Sequence, residues 1–274
     1  MSEVVMNEEV LLYEKVGKVG KVILNRPKVR NALNHALSSN LGDFMRKADA
    51  DPDTNVIVLC AAGEKAFTAG FDLKESIGSP IVDVPERREN SLMELNNWRA
   101  IWECKKPVIC AVQGYCIGGG VWMAMLSDLI IAADNAQFGE PELKYSYAND
   151  VLPEPWKMTM NRVKQFLYLG DFWSAEQMKE AGVVNFVVPA AELEEKTMEL
   201  ANKLADMPAQ AMQILKYEIN QTYELMGMHQ AQKFAAEMFN LCRIHQVQEQ
   251  AEFNKIVNEQ GLKAAMAWKD AQGK

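Results

Sequence analysis

Apolar positions along the chain alternate between two rhythms. Short runs dense in Val, Ile and Leu, at 10–13, 19–24, 56–60, 108–112, 129–133 and 183–188, have the length and composition of strands. Between them lie longer stretches with apolar residues three and four apart. Leu37, Leu41, Phe44 and Met45 share one face over 35–50, and Leu92, Leu95, Trp98, Ile101 and Trp102 do so over 90–104. A charged, glycine-bearing turn at 14–20 makes a hairpin of the first two strands. Pro27, flanked by Asn25 and Asn31, stops the second. The polar stretch 75–89, with Pro80 and Pro85, reads as an excursion without regular structure. Further helices are predicted over 162–170, 174–182, 191–205, 208–225, 230–242 and 261–269. Ser174 and Gln177 have the spacing of a capping box, and Pro208 suits a first helical turn. Strands alternating with helices across short breakers define an α/β class.

Composition narrows the picture. With 274 residues, 49% of them hydrophobic, the chain can build one large domain or two small ones. The pattern divides it into a core region, 1–190, and a helical region, 191–274. A net charge of −8 argues against nucleic acid as the main partner. Five cysteines with no paired spacing fit a reducing compartment, hence a cytoplasmic expectation. No stretch approaches ~18 consecutive apolar residues and the first ten residues are acidic, so neither a membrane span nor a targeting signal is expected. His35, His229 and His245 make no metal-ligand pattern. Sixteen methionines suit either a Met-rich core or a plastic apolar pocket.

Chemistry enters at two turns. The strand over 108–112 leads through Gly114 to Gly118-Gly119-Gly120 and an apolar helix-length run, 121–126. Three residues without Cβ let the backbone approach a ligand, and a helix start leaves N–H groups free. About fifty residues upstream, the strand over 56–60 leads to a second turn of small residues, Ala69-Gly70. Two such turns can each offer one N–H to a developing oxyanion.

Together these pieces resemble the crotonase (enoyl-CoA hydratase/isomerase) superfamily. The residues that carry the resemblance are Asn25-Arg26-Pro27, Asn31-Ala32-Leu33-Asn34, Ala66 to Leu73, Gly114 to Gly120, Ser127-Asp128-Leu129, Ala136 to Gly139 with Pro141-Glu142, and Gly182 to Asn185 with Val188-Pro189. The resemblance implies a crotonase-like spiral of ββα units, followed by a C-terminal helical region that closes the site and packs against neighbours in a homotrimer or a dimer of trimers. It implies an acyl-CoA substrate and no separate cofactor, coenzyme A being part of the substrate. The backbone donors become Phe71 and Gly119. Lys28 and Arg30 fall where phosphates lie, and Ala69, Asp72, Leu73 and Trp122 line the substrate.

Hydratases of the superfamily use two glutamates, one two residues after the triple glycine and one in a Gly-x-Pro-Glu motif. The second is present here as Glu142; the first position holds Trp122, which neither transfers protons nor holds a nucleophilic water as a carboxylate does. Three readings follow. Glu142 alone moves a proton between carbons, as in single-glutamate isomerases. Alternatively, Glu142 works with a replacement from the unusual loop after it, Asp150 first, then Glu154 or Tyr147, for hydration, hydrolysis or C–C cleavage. In the third, the polar groups steer a decarboxylation, or the protein binds acyl-CoA without turnover. Glu140 reads as structural. Burial beside Trp122 is expected to raise the Glu142 pKa.

Overall fold

The computed structural model describes residues 3–72, 75, 84–145, 148–244 and 248–272. Three antiparallel strands open it: β1 (Glu3–Glu8), β2 (Leu11–Val16) and β3 (Val19–Leu24). Gly17, at φ 59°, supplies the left-handed turn between paired Val16 and Val19. The chain then crosses through α1 (His35–Ala50), whose start is fixed by Asn34 Oδ1 accepting from the Leu37 N–H at 3.1 Å.

From here the chain repeats one move, in which a long apolar strand is followed within a few residues by a short one that enters a second sheet. β4 (Val56–Ala61) is followed by β5 (Ala66–Thr68), β6 (Val108–Val112) by β7 (Tyr115–Ile117), and β8 (Leu129–Ala133) by β9 (Gln137–Gly139). Helices α2 (Val84–Trp102) and α3 (Gly119–Leu126) intervene. After the third pair come α4 (Met160–Leu169), β10 (Trp173–Ser174), α5 (Ala175–Glu180) and β11 (Phe186–Val188). The long strands make a seven-stranded sheet in the order β1-β2-β3-β4-β6-β8-β11, parallel from β3 onward. The short ones make a second sheet, β10-β9-β7-β5, in which β5, β7 and β9 are parallel. This is the ββα spiral that the resemblance implies.

Both faces of the long sheet are buried, which is why its strands read as unbroken apolar runs. Ile57, Leu59, Cys110, Val112 and Ile130 enter the main core with α1, α2 and α3. Their neighbours Val56, Val58, Ile109, Ala111 and Ile131 face the other way. They are covered by Leu193, Ala201 and Ala205 of α6 (Leu193–Ala205). Beyond α6 follow α7 (Ala209–Leu225), α8 (Met228–Ile244), α9 (Gln248–Gln260) and α10 (Leu262–Gln272). The buried Arg99 of α2 ties these helices down. It donates to Glu224 of α7 at 2.6 Å and to Gln232 of α8 at 2.7 Å.

Several expectations shift. Part of the excursion over 75–89 is helical: α2 begins at Val84 with Pro85 in its first turn, where a missing N–H costs nothing. Residues 76–83 lie outside the described part. The strand expected over 183–188 is only its second half, because the N–H groups of Val183 and Val184 still bond Met178 O at 2.9 and 3.3 Å. Helix α9 has no counterpart in the sequence reading. The capping box at Ser174 and Gln177 is present.

Candidate active site

The site is built by three turns that leave the C-terminal ends of the adjacent parallel strands β5, β7 and β9. Ligand sites in parallel sheets gather at that edge, where helix starts and free N–H groups converge. After β5, the turn Ala69-Gly70-Phe71 is held by the Arg26–Leu33 loop. Leu33 N–H donates to Gly70 O at 2.9 Å, and Asp72 N–H donates to Leu33 O at 3.0 Å. In this bridge Leu33 uses the groups either side of Phe71, so the Phe71 N–H points away from it. The loop is stapled by Asn31, fully buried at φ 53°. Its Nδ2 donates to Ala62 O and Ala66 O at 2.9 and 3.0 Å, and its Oδ1 accepts from Arg26 N–H at 2.8 Å. Thr68 Oγ1 donates to Asn31 O at 2.6 Å and accepts from Gly70 N–H at 3.1 Å.

After β7 comes the triple glycine. Gly118, at φ 54° and ψ −117°, occupies backbone space that side chains avoid, and a Cβ there would strike Glu142 Oε1. A Cβ on Gly119 would lie 2.7 Å from Leu33 Cδ1, and one on Gly120 would collide with Thr68 Cγ2. The three glycines thus let the second turn pack against the first and against Glu142. Gly118 N–H is taken by Gly139 O at 3.0 Å. Among the described residues, neither the Phe71 nor the Gly119 N–H finds an acceptor.

After β9 the chain runs Glu140-Pro141-Glu142 into a 3-10 turn, Glu142–Tyr145. Glu142 is half-buried as a residue, but its Oε2 is sealed from solvent and has no hydrogen-bond partner among the described residues. Burial pushes its carboxyl up to about 7, and Glu154 adds to the rise. Glu140 and Glu154 are buried, in hydrogen-bonding contact with each other, and both raised by burial. Glu154 opens the short 3-10 turn Glu154–Trp156. Asp150 is 7% exposed, on the loop between the two turns. Tyr147 lies outside the described residues.

Trp122 projects from the first turn of α3 and is 2% exposed. Its ring lies 5.5 Å from Phe71 and 5.9 Å from Trp98, and Phe71 and Trp98 meet edge-to-face at 6.1 Å. The three rings wall the turn that carries the Phe71 amide. Trp122 Nε1 is buried without an acceptor among the described residues.

The outlying candidates spread along the first loop. Lys28 and Arg30 are exposed, and the Arg30 guanidinium stands 6.0 Å from the Tyr115 ring. Asp72 turns toward Arg26, 3.4 Å away. Ala69 N–H is committed to Arg30 O at 2.9 Å. Leu73 lies outside the described residues. Cys116, beneath the glycine turn, is fully buried, and burial holds its thiol neutral, well above the usual range. Among the described residues, no group of three His, Cys, Asp or Glu is disposed to hold a metal.

Asn31, Glu140 and Glu154 do more here than their sequence signals suggested. Asn31 showed as a loop breaker after Pro27 and as part of a family motif, with no role of its own. Glu140 and Glu154 are fourteen residues apart on an irregular loop, and no periodicity connects them.

A ββα spiral with amides and a carboxyl gathered at the ends of three short parallel strands defines a class of enzymes that bind at the edge of a parallel sheet. Comparison with known proteins names it: the enoyl-CoA hydratase/isomerase family matches residues 14–264, and the chain belongs to that family. It is 33% identical over 239 residues to the mitochondrial enoyl-CoA hydratase of Pongo abelii, covering 85% of this chain and 80% of that one. It is 36% identical over 215 residues to carnitinyl-CoA dehydratase of Proteus mirabilis, covering 76% and 79%. The crystal structure of an enoyl-CoA hydratase/isomerase from Xanthobacter autotrophicus Py2 superposes with a TM-score of 0.92 at 31% identity, covering 97% of this chain and 99% of that one.

Proposed function

We propose that the protein acts on an acyl-CoA thioester by forming an enolate, and that Glu142 moves the proton. The observation that carries this reading is the pair of amides, Phe71 and Gly119, on adjacent parallel strand ends and without an acceptor among the described residues, with Glu142 packed against Gly118 from the next strand end, that of β9. Two N–H groups on the thioester oxygen stabilise the charge that appears when the α-proton leaves, and one such donor is worth about 3 kcal/mol. A carboxylate with a pKa of about 7 is a base strong enough to take that proton and an acid strong enough to return it. With Trp122 where a second glutamate is expected, one carboxylate serves both positions, and the outcome is migration of a double bond from the β,γ to the α,β position. Trp122, Trp98 and Phe71 form the wall against which the acyl group lies. Lys28 and Arg30, exposed on the loop stapled to the Phe71 turn, meet the phosphates of coenzyme A.

Hydration is the second reading. The hydratase names of the relatives favour it, as do the further carboxyls, Glu140 and Glu154, next to Glu142. Asp150, buried on the same loop, is the other group that could hold a water. Exposed apolar residues on α7 and α8, among them Ile214, Leu215, Tyr217, Phe234 and Leu241, support assembly as a homotrimer or a dimer of trimers. Five cysteines without the spacing of a disulfide framework support a cytoplasmic setting.

Assays with a 3-enoyl-CoA and with crotonyl-CoA separate the readings. Conversion of the first to a 2-enoyl-CoA is expected. Hydration of crotonyl-CoA without isomerisation would establish the second reading, and tight acyl-CoA binding with neither reaction would overturn both.

A further inference from the structure

Glu140 and Glu154 are the most deeply buried carboxyls of the site, 1% and 0% exposed, and no cation pairs with either among the described residues. Asn149 Nδ2 donates to Glu140 Oε2. Beyond that, Glu140 Oε1 and both oxygens of Glu154 are sealed from water, and no donor among the described residues reaches them. Yet the two side chains are in hydrogen-bonding contact. Two ionised carboxylates cannot stay in such contact away from water, and two fully protonated ones would bring two O–H donors to a single contact. One proton satisfies the arrangement. Carried on Glu140 Oε1 and donated to Glu154, it leaves Glu140 Oε2 to accept from Asn149 and supplies Glu154 with a side-chain donor.

We propose that Glu140 and Glu154 form a one-proton carboxyl pair, Glu140 as the acid and Glu154 as the anion, that positions and tunes Glu142. The inference rests on the proton-transfer role proposed for Glu142. Glu142 follows Glu140 by two residues across Pro141, so the pair fixes the turn that presents it. The negative charge on Glu154, held in a water-free pocket, disfavours ionisation of Glu142 and makes it a stronger base. Among the described residues, the titratable groups that act on the carboxyls of the three include one another, and the Cys116 thiol on β7, which burial keeps neutral, lies beside Glu140. Asp150 is buried on the loop that joins their two turns. Neither member of the pair needs to touch the substrate; both act through Glu142.

The pair differs from a structural one in its protonation, which infrared difference spectroscopy reads without any turnover. Above neutral pH surface carboxyls are ionised, so a protonated carboxyl band that persists there belongs to a buried acid. Expected are such a band in the wild type, its loss in Glu140→Gln, and a Glu142 titration, assigned with Glu142→Gln, that moves to lower pH in Glu154→Gln by on the order of one unit. Gln at 140 can still donate to Glu154, so Glu140→Gln keeps the Glu142 titration near that of the wild type. In the kinetic assay the acid limb of kcat/KM shifts in Glu154→Gln and not in Glu140→Gln, and Glu154→Asp restores it in part. Absence of the persistent band, or an unmoved Glu142 titration in Glu154→Gln, overturns the pair. If instead the spectra behave as expected and no acyl-CoA is turned over, the pair stands and the proposed reaction falls.

Discussion

Asn31 shows how a single side chain can carry a site it never enters. It satisfies two carbonyls and one N–H of three separate segments from a fully buried position. Asn31→Ala strands all three, and a loss of about 3 kcal/mol or more is expected in urea denaturation, with the Phe71 turn loosened. The role proposed for Glu142 belongs to the same scale but works through proton affinity. With its carboxyl at about 7, kcat/KM should rise with pH through that value, since the ionised form is the base. Glu142→Gln should cut turnover at least about a hundredfold, and undiminished rates would remove it from the mechanism. Its effect on stability has the opposite slope. A carboxyl raised above its ordinary value of 4.5 binds its proton more tightly when folded, so stability falls as pH climbs from there to about 7 and then levels off. The Glu142→Gln variant should lose that portion of the slope in denaturation curves taken across the window.

At the scale of elements, β5, β7 and β9 are three residues each, yet they decide where the chemistry lies. Their parallel pairing puts the turns at 69–71, 118–120 and 140–142 side by side, and close approach of the first two depends on missing Cβ atoms. Gly119→Ala would put a methyl 2.7 Å from Leu33 Cδ1 and 3.3 Å from Trp98 Cη2, which pushes the Gly119 amide out of line. A loss of roughly a hundredfold in kcat is expected, of the order seen when one oxyanion donor is removed. Leu33→Ala in the same chain should recover part of it; no recovery would mean that the lost activity has another cause. Gly118→Ala has no such rescue, because its backbone conformation itself excludes a side chain. At Ser174, substitution by Ala removes one half of the capping box and should cost about 1 kcal/mol with activity unchanged.

At the scale of the whole molecule, the helices after the spiral divide their work. Helix α6 is part of the core, because it covers the second face of the long sheet. Helix α7 is tethered more lightly, with Lys216 donating to Asp128 Oδ2 at 2.6 Å and to Lys106 O at 2.9 Å. Its outer face leaves Ile214 at 62% and Tyr217 at 66% exposure, and Phe234 of α8 is at 63%. Sedimentation should give a mass of three or six chains. Ile214→Lys together with Phe234→Glu should shift it toward the single chain with far-ultraviolet circular dichroism preserved. An unchanged mass would place the contact elsewhere.

What was legible in the sequence was whatever local periodicity and backbone chemistry encode. The long strands from β2 onward, α1, most of the later helices, the capping box and the two small-residue turns could be read, whereas β1 over Glu3–Glu8 was not; the order of the motifs carried the family resemblance. Local pattern could not show the three-residue strands of the second sheet, because pairing with neighbours defines them and three residues hold no period. It also missed the start of α2 at Val84, where two prolines in a polar stretch outweighed helix-forming residues, and the part of 183–188 that stays bound to Met178. In the site, Glu142 and the amide turns were visible as motifs. The meeting of Glu140 with Glu154 was not, since an irregular loop has no repeat from which to infer contact. Burial was likewise decided by tertiary packing alone. A carboxyl titrates at about 7 only after the fold has removed its water and set another carboxyl beside it, and neither event is written in the residues next to it in the chain.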